Sequence, residues 1–141
     1  MGLDYGDNRV GIALTDPLGI IVSGYKTIIT KGNDKILLKE LEKIIEEKEI
    51  GTVVVGMPVN MNGTLGKRAE KTEEFIHKLK CKFNKIKIAS IDERLTTVQA
   101  SKTMAELELD QKKRKEVVDT LSAGYILETY ISIHMLKKEG G

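Results

Sequence analysis

Cysteine occurs once, at Cys81, so the chain cannot close a disulfide on itself. The sequence does not open on a basic stretch followed by an apolar core, so no export signal is visible. Together these two absences point to a reducing, cytoplasmic setting. No apolar run approaches the roughly 20 residues that a membrane span requires. Aromatic residues make up only 4% of the chain, which with heavy use of Lys and Glu hints at a heat-adapted source. Neither sign of charge dominates. Lys and Arg number 23 against 21 Asp and Glu, a net charge of +2, so bulk charge gives no argument for a polyanionic partner. Histidine appears only at His77 and His134, each alone at a helical position, where surface or core filler is the expected role.

What is present fits one soluble globular domain over residues 1–141, with 40% hydrophobic and 31% charged residues. The distribution of charge says more than its sum. Eight Lys or Arg stand against three Glu between Lys67 and Lys87, and Lys112-Lys113-Arg114-Lys115 forms a second basic cluster. A phosphate backbone would be drawn to such patches, although a solvated helix face is the commoner reason for any one of them.

The order of elements is legible from hydrophobic period and turn chemistry. Leu3 and Tyr5 flank Asp4 in a first strand, and Gly6-Asp7-Asn8 supplies a turn of residues that tolerate positive φ. Val10, Ile12 and Leu14 alternate with smaller residues in a second strand, broken at Asp16-Pro17. Ile20 to Thr30 predicts a third strand and completes an antiparallel meander. Asn33 or Asp34 caps a helix whose stripe is Leu37, Leu41, Ile44 and Ile45. Thr52 to Gly56 is a continuous apolar run, expected as a central strand parallel to an earlier one. A loop with Asn60 and Asn62 follows, in the position where open α/β sheets bind ligands. Thr64 is then the expected cap of a helix over about Leu65 to Lys82. Ile86 to Ile91 is a fifth strand. It runs into Asp92-Glu93-Arg94-Leu95-Thr96-Thr97, where local capping is the plain reading. A helical segment over Val98–Leu109, an exposed polar stretch over Asp110–Lys115 and a long, largely buried helix over Glu116–Leu136 complete the chain.

Three carboxylates recur at places where a carboxylate is unwelcome: Asp4 inside a strand, Glu93 at a strand's end, and Asp119 on an apolar helix. Asp119 shares a helix face with small Ser122 and Ala123, which permits close approach to a sheet; near a helix start it would also suit the helix dipole. Hard oxygen donors without Cys or His suit Mg²⁺ or Mn²⁺, and such ions support phosphoryl chemistry.

The element order resembles the ribonuclease H-like fold, an α/β architecture with a mixed five-stranded sheet and helices on both faces. Four motifs, in order, resemble those of the YqgF/RuvX family: Asp4-Tyr5-Gly6 with Arg9-Val10-Gly11-Ile12-Ala13; Val55-Gly56-Met57-Pro58 with Asn60-Met61-Asn62-Gly63-Thr64; Asp92-Glu93-Arg94-Leu95-Thr96-Thr97; and Val118-Asp119 with Ser122-Ala123 and Ile126-Leu127-Glu128. The resemblance implies a metal-dependent nuclease with Asp4, Glu93 and Asp119 as catalytic metal ligands, acting on precursor ribosomal RNA. Arg9, Asn60, Asn62, Lys67, Arg68, Arg94 and Thr96 are the expected nucleic-acid contacts. A resolvase of branched DNA, working as a dimer, and a non-catalytic RNA-binding assembly factor are the alternatives. The sequence leaves monomer and homodimer open. An actin-like phosphotransferase would need two such lobes, and this length makes only one.

Overall fold

The computed structural model describes residues 1–60, 62–93 and 111–139, with side chains of the last helix described over residues 118–134. Strands β1 (Gly2–Tyr5), β2 (Arg9–Thr15) and β3 (Val22–Ile29) form an antiparallel meander. Helix α1 (Asp34–Glu47) crosses over to β4 (Thr52–Met57), and α2 (Lys67–Lys82) leads to β5 (Lys87–Asp92). Helix α3 (Gln111–Glu139) comes last among the described elements. The sheet order is β3-β2-β1-β4-β5, with β4 parallel to β1 and β5 parallel to β4. This is the mixed five-stranded α/β sheet expected from the sequence.

Alternation along the strands sorts the side chains into two cores. On one face Leu3, Tyr5, Val10, Ile12, Val53 and Val55 pack with Leu37, Leu41 and Ile44 of α1 and Phe75 and Leu79 of α2. Removing one such side chain from water is worth roughly 1.5–3 kcal/mol. Tyr5 stacks on Phe75 with ring centroids 4.3 Å apart, and its hydroxyl donates to Asp34 Oδ1 at 2.7 Å. Burial and that carboxylate push the phenol well above its ordinary value. Lys78 pairs with the other oxygen of Asp34 at 3.0 Å, so one carboxylate ties β1, α1 and α2 together. On the opposite face Val54 and Ile91 pack with Ile126 and Leu127 of α3.

That second face is lined by glycine. A Cβ on Gly2 would come within 2.5 Å of the Ala123 carbonyl oxygen, and one on Gly24 within 2.9 Å of Thr120 Cβ. A Cβ on Gly11 would overlap the backbone carbonyl of Asp119. Helix α3 therefore lies directly on strand backbone, which places Asp119 against the centre of the sheet.

Several local expectations change. None of Gly6, Asp7 and Asn8 has positive φ. Gly6 is required for space, because a Cβ there would sit 2.7 Å from the Arg9 carbonyl oxygen. Strand β3 begins at Val22, since Asp16 Oδ1 accepts from the backbone N–H groups of Ile20 and Ile21 at 2.8 and 3.0 Å and holds them in the turn. Asn33 is the cap of α1, accepting from the Lys35 N–H. The N-cap of α2 is Gly66, not Thr64, whose hydroxyl is engaged by Asn60 and Asn62. Helix α3 begins at Gln111, so residues 111–115 are helical; Gln, Lys and Arg are all good helix formers and nothing in that run breaks a helix. This helix is also less buried than expected: Ala123, Ile126 and Leu127 are buried, while Glu128 and Ile133 face outward. The segment predicted helical over Val98–Leu109 lies outside the described residues, as do Arg94 and Thr96.

Candidate active site

Asp4 belongs to the glycine-lined face. It is directly opposite Gly11 in the β1–β2 register, and that pair shares a face. In the parallel β1–β4 pairing, Leu3 partners Val55, so Asp4 continues alongside Gly56. Gly56 in turn partners Ile91 of β5, and Glu93 follows just past that strand. The three strands thus deliver Asp4 and Glu93 to either side of Gly56. The stem of Glu93 leans over this glycine, with Cγ 2.9 Å from where a Cβ would be.

The two carboxyl groups meet. Asp4 rises from 3.8 to about 7, first because burial strips its water, and then because the Glu93 charge and a hydrogen bond with Glu93 favour keeping a proton between them; Arg68 opposes the shift. Carboxylates that share a site resist ionising together, and a cation relieves that resistance. Arg68 approaches from the first turn of α2, with Nη2 3.5 Å from the Tyr5 carbonyl oxygen. Its guanidinium charge opposes the rise of Asp4.

Asp119 lies on the same face, over Gly11, but its carboxylate is turned to Arg9: Oδ2 is 3.3 Å from Arg9 Nε. Among the described residues, no group of three or more His, Cys, Asp or Glu side chains is close enough to hold a metal ion. Asp4 and Glu93 stand together, and Asp119 stands beside them in an ion pair. Its position also disposes of the helix-dipole reading. Asp119 is the ninth residue of α3, beyond the first turn where a dipole acts.

The remaining expected contacts fall in two groups. Lys67 is exposed at the start of α2. Asn60 and Asn62 are exposed and also brace their own loop. The Asn60 amide donates to Thr64 Oγ1 at 3.1 Å, and Asn62 Oδ1 accepts from the Thr64 hydroxyl and N–H at 2.7 and 3.1 Å. What sequence reasoning missed is the role of the glycines. Gly2, Gly11, Gly24 and Gly56 are far apart in sequence, and only their strand parity with Asp4 could have joined them.

The donor set suits a hard divalent cation. One carboxylate from β1 and one from just past β5 meet over Gly56, and the negative charge they concentrate is the charge a cation would offset.

Residues 1–133 match the family model described as RuvX: Holliday junction resolvase. The chain is 45% identical over 131 residues to a protein of Acetivibrio thermocellus named "Putative pre-16S rRNA nuclease", covering 93% of each chain. A protein of the same name from Clostridium botulinum is 47% identical over 131 residues, covering 93% of this chain and 94% of its own.

Proposed function

The chain belongs to the RuvX family, and from that premise we propose that it is a divalent-metal-dependent nuclease that trims the precursor of 16S ribosomal RNA in the cytoplasm. The observation that carries the reading is the Asp4–Glu93 pair, a carboxylate couple drawn from two strands and held beside Arg68 on an otherwise apolar sheet. Asp4 and Glu93 would hold Mg²⁺ or Mn²⁺, with Asp119 as the third oxygen donor once Arg9 releases it. A bound ion supplies charge neutralisation at the scissile phosphate and a water acidic enough to attack phosphorus.

The chain's own residues do the rest. Asp4, whose proton is favoured by burial and by the Glu93 charge, would have to be ionised to serve as an oxygen donor. Arg68, which lies near Asp4, would meet a phosphate oxygen next to the pair, and Arg9, partly exposed in its ion pair with Asp119, would exchange that carboxylate for a neighbouring phosphate. Lys67 extends the cationic track along α2. Names of relatives support the RNA substrate.

The deciding experiment incubates the protein with precursor RNA in Mg²⁺ or in EDTA and maps the product ends. Cleavage confined to the Mg²⁺ reaction is expected; equal cleavage in both removes the metal mechanism. The family description favours one second reading, a DNA junction resolvase. Cutting two strands symmetrically requires a dimer, so light scattering that finds only monomer, with and without junction DNA, counts against it.

A further inference from the structure

We propose that Gly56 is a positioning residue: it is the gap in β4 through which Glu93 reaches Asp4. This rests on the reading of the acid pair as the catalytic centre and adds to it a residue with no chemistry of its own.

The strands fix the problem that Gly56 solves. Asp4 is on β1 and Glu93 follows β5, and β4 runs between those strands. Carboxyl groups two strands apart can meet only by crossing the intervening strand on the same face. The residue they cross is Gly56, next to Asp4 by register and paired with Ile91, two residues before Glu93. Val54, the preceding β4 residue on this face, carries a full side chain and packs against Ile126 and Leu127. The gap is therefore confined to the one position where the acids meet.

The space is filled as tightly as a glycine allows. A Cβ at position 56 would lie 2.5 Å from Ile126 Cδ1, 2.9 Å from Glu93 Cγ and 3.0 Å from Glu93 Oε1. These neighbours differ in how they can respond. Ile126 Cδ1 is the tip of a flexible side chain and can rotate away. Glu93 Cγ is the stem of the carboxylate, so moving it moves the carboxyl group off Asp4. The backbone itself does not demand glycine, since Gly56 is not among the residues with positive φ. An alanine there tests space alone.

Two measurements separate positioning from packing. The first is a cycle of melting temperatures. Gly56→Ala should lower the melting temperature, and Ile126→Val, which removes Cδ1, should recover part of that loss. Adding Glu93→Ala, which removes Cγ and the carboxyl group, should recover the remainder. A Gly56→Ala penalty of the same size with and without the Glu93 side chain overturns the proposal. The second uses the folded double variant Gly56→Ala/Ile126→Val against Ile126→Val alone. Cleavage of precursor RNA should fall about 100-fold, the usual consequence of displacing a reacting group by ~1 Å. Half-saturation by Mn²⁺, followed by calorimetry, should move to a higher concentration by ~10-fold or more. A double variant with recovered melting, normal Mn²⁺ binding and normal cleavage makes Gly56 a packing residue only. If the wild-type chain neither binds Mn²⁺ nor cuts RNA, the reading of the site falls, and the melting cycle still decides whether Glu93 occupies the gap.

Discussion

The two faces of the sheet are built from the same five strands by opposite rules. Toward α1 and α2 the strands present Leu3, Tyr5, Val10, Ile12, Val53 and Val55, and stability comes from large apolar side chains in contact. Toward α3 they present Gly2, Gly11, Gly24 and Gly56, and the helix lies on bare backbone. The first arrangement buries the most apolar surface per residue. The second gives up that surface to bring polar groups of distant segments within reach of one another. Strand alternation lets one sheet do both, because neighbouring residues never share a face. The difference teaches that the carboxylates are tolerated here because the opposite face carries the stability.

If that division is right, substitutions on the two faces should have opposite signatures. The largest effect is expected from Phe75→Ala, which empties a fully buried site under Tyr5. It should cost about 3–5 kcal/mol in denaturant unfolding, while the fraction still folded retains its cleavage rate per molecule. A selective loss of cleavage without loss of stability would break the comparison.

Next is Asp4→Asn. Cleavage should fall by about 100-fold or more, yet the metal-free protein should gain stability at pH 8. The sign follows from the direction of the shift. Asp4 holds its proton more firmly folded than unfolded, moving from 3.8 to about 7. Its stabilising contribution is thus complete below the unfolded value and is lost as pH rises through about 7. Metal-free wild type should melt progressively lower across that window, and Asp4→Asn should flatten the slope. Thermal melts from pH 4 to 8 in EDTA check both; an unchanged slope in the variant would assign the pH dependence elsewhere.

Loss of the α1 cap, Asn33→Ala, should cost about 1 kcal/mol with no change in cleavage, since the Asn33 side chain accepts from the Lys35 N–H at the start of α1, on the face of the sheet away from the acid pair. The smallest effect separates two surface cations. Lys71 pairs with Asp7 at 3.3 Å in an exposed position, so Lys71→Ala should change stability by less than ~1 kcal/mol. Arg9→Gln should weaken RNA binding uniformly across sequences and reduce the salt slope of affinity by about 1. Identical salt slopes for wild type and Arg9→Gln would remove Arg9 from the phosphate contacts.

How much of this was legible in advance depends on the range of the forces involved. Asn33 was readable as a cap because its bond spans two residues. Val53–Val55 were readable as a central strand because a strand covered on both faces must be apolar along its length. The start of α3 was not readable because a run of Gln, Lys and Arg is polar like a loop and yet made of good helix formers. Thr64 was misassigned because a nearer pair of asparagines claims its hydroxyl.

The sequence alone determined the order of elements, the two-residue alternation that assigns each side chain to a face, and the identities of the three carboxylates. These depend on local backbone preference and on hydrophobic period, which act within a few residues. Only the tertiary structure decided which carboxylates meet. Asp4 finds Glu93 across Gly56, while Asp119 finds Arg9 over Gly11. Those partnerships depend on strand register and on the closeness of a helix to bare backbone, distances set by the packing of the whole sheet and written in no single segment.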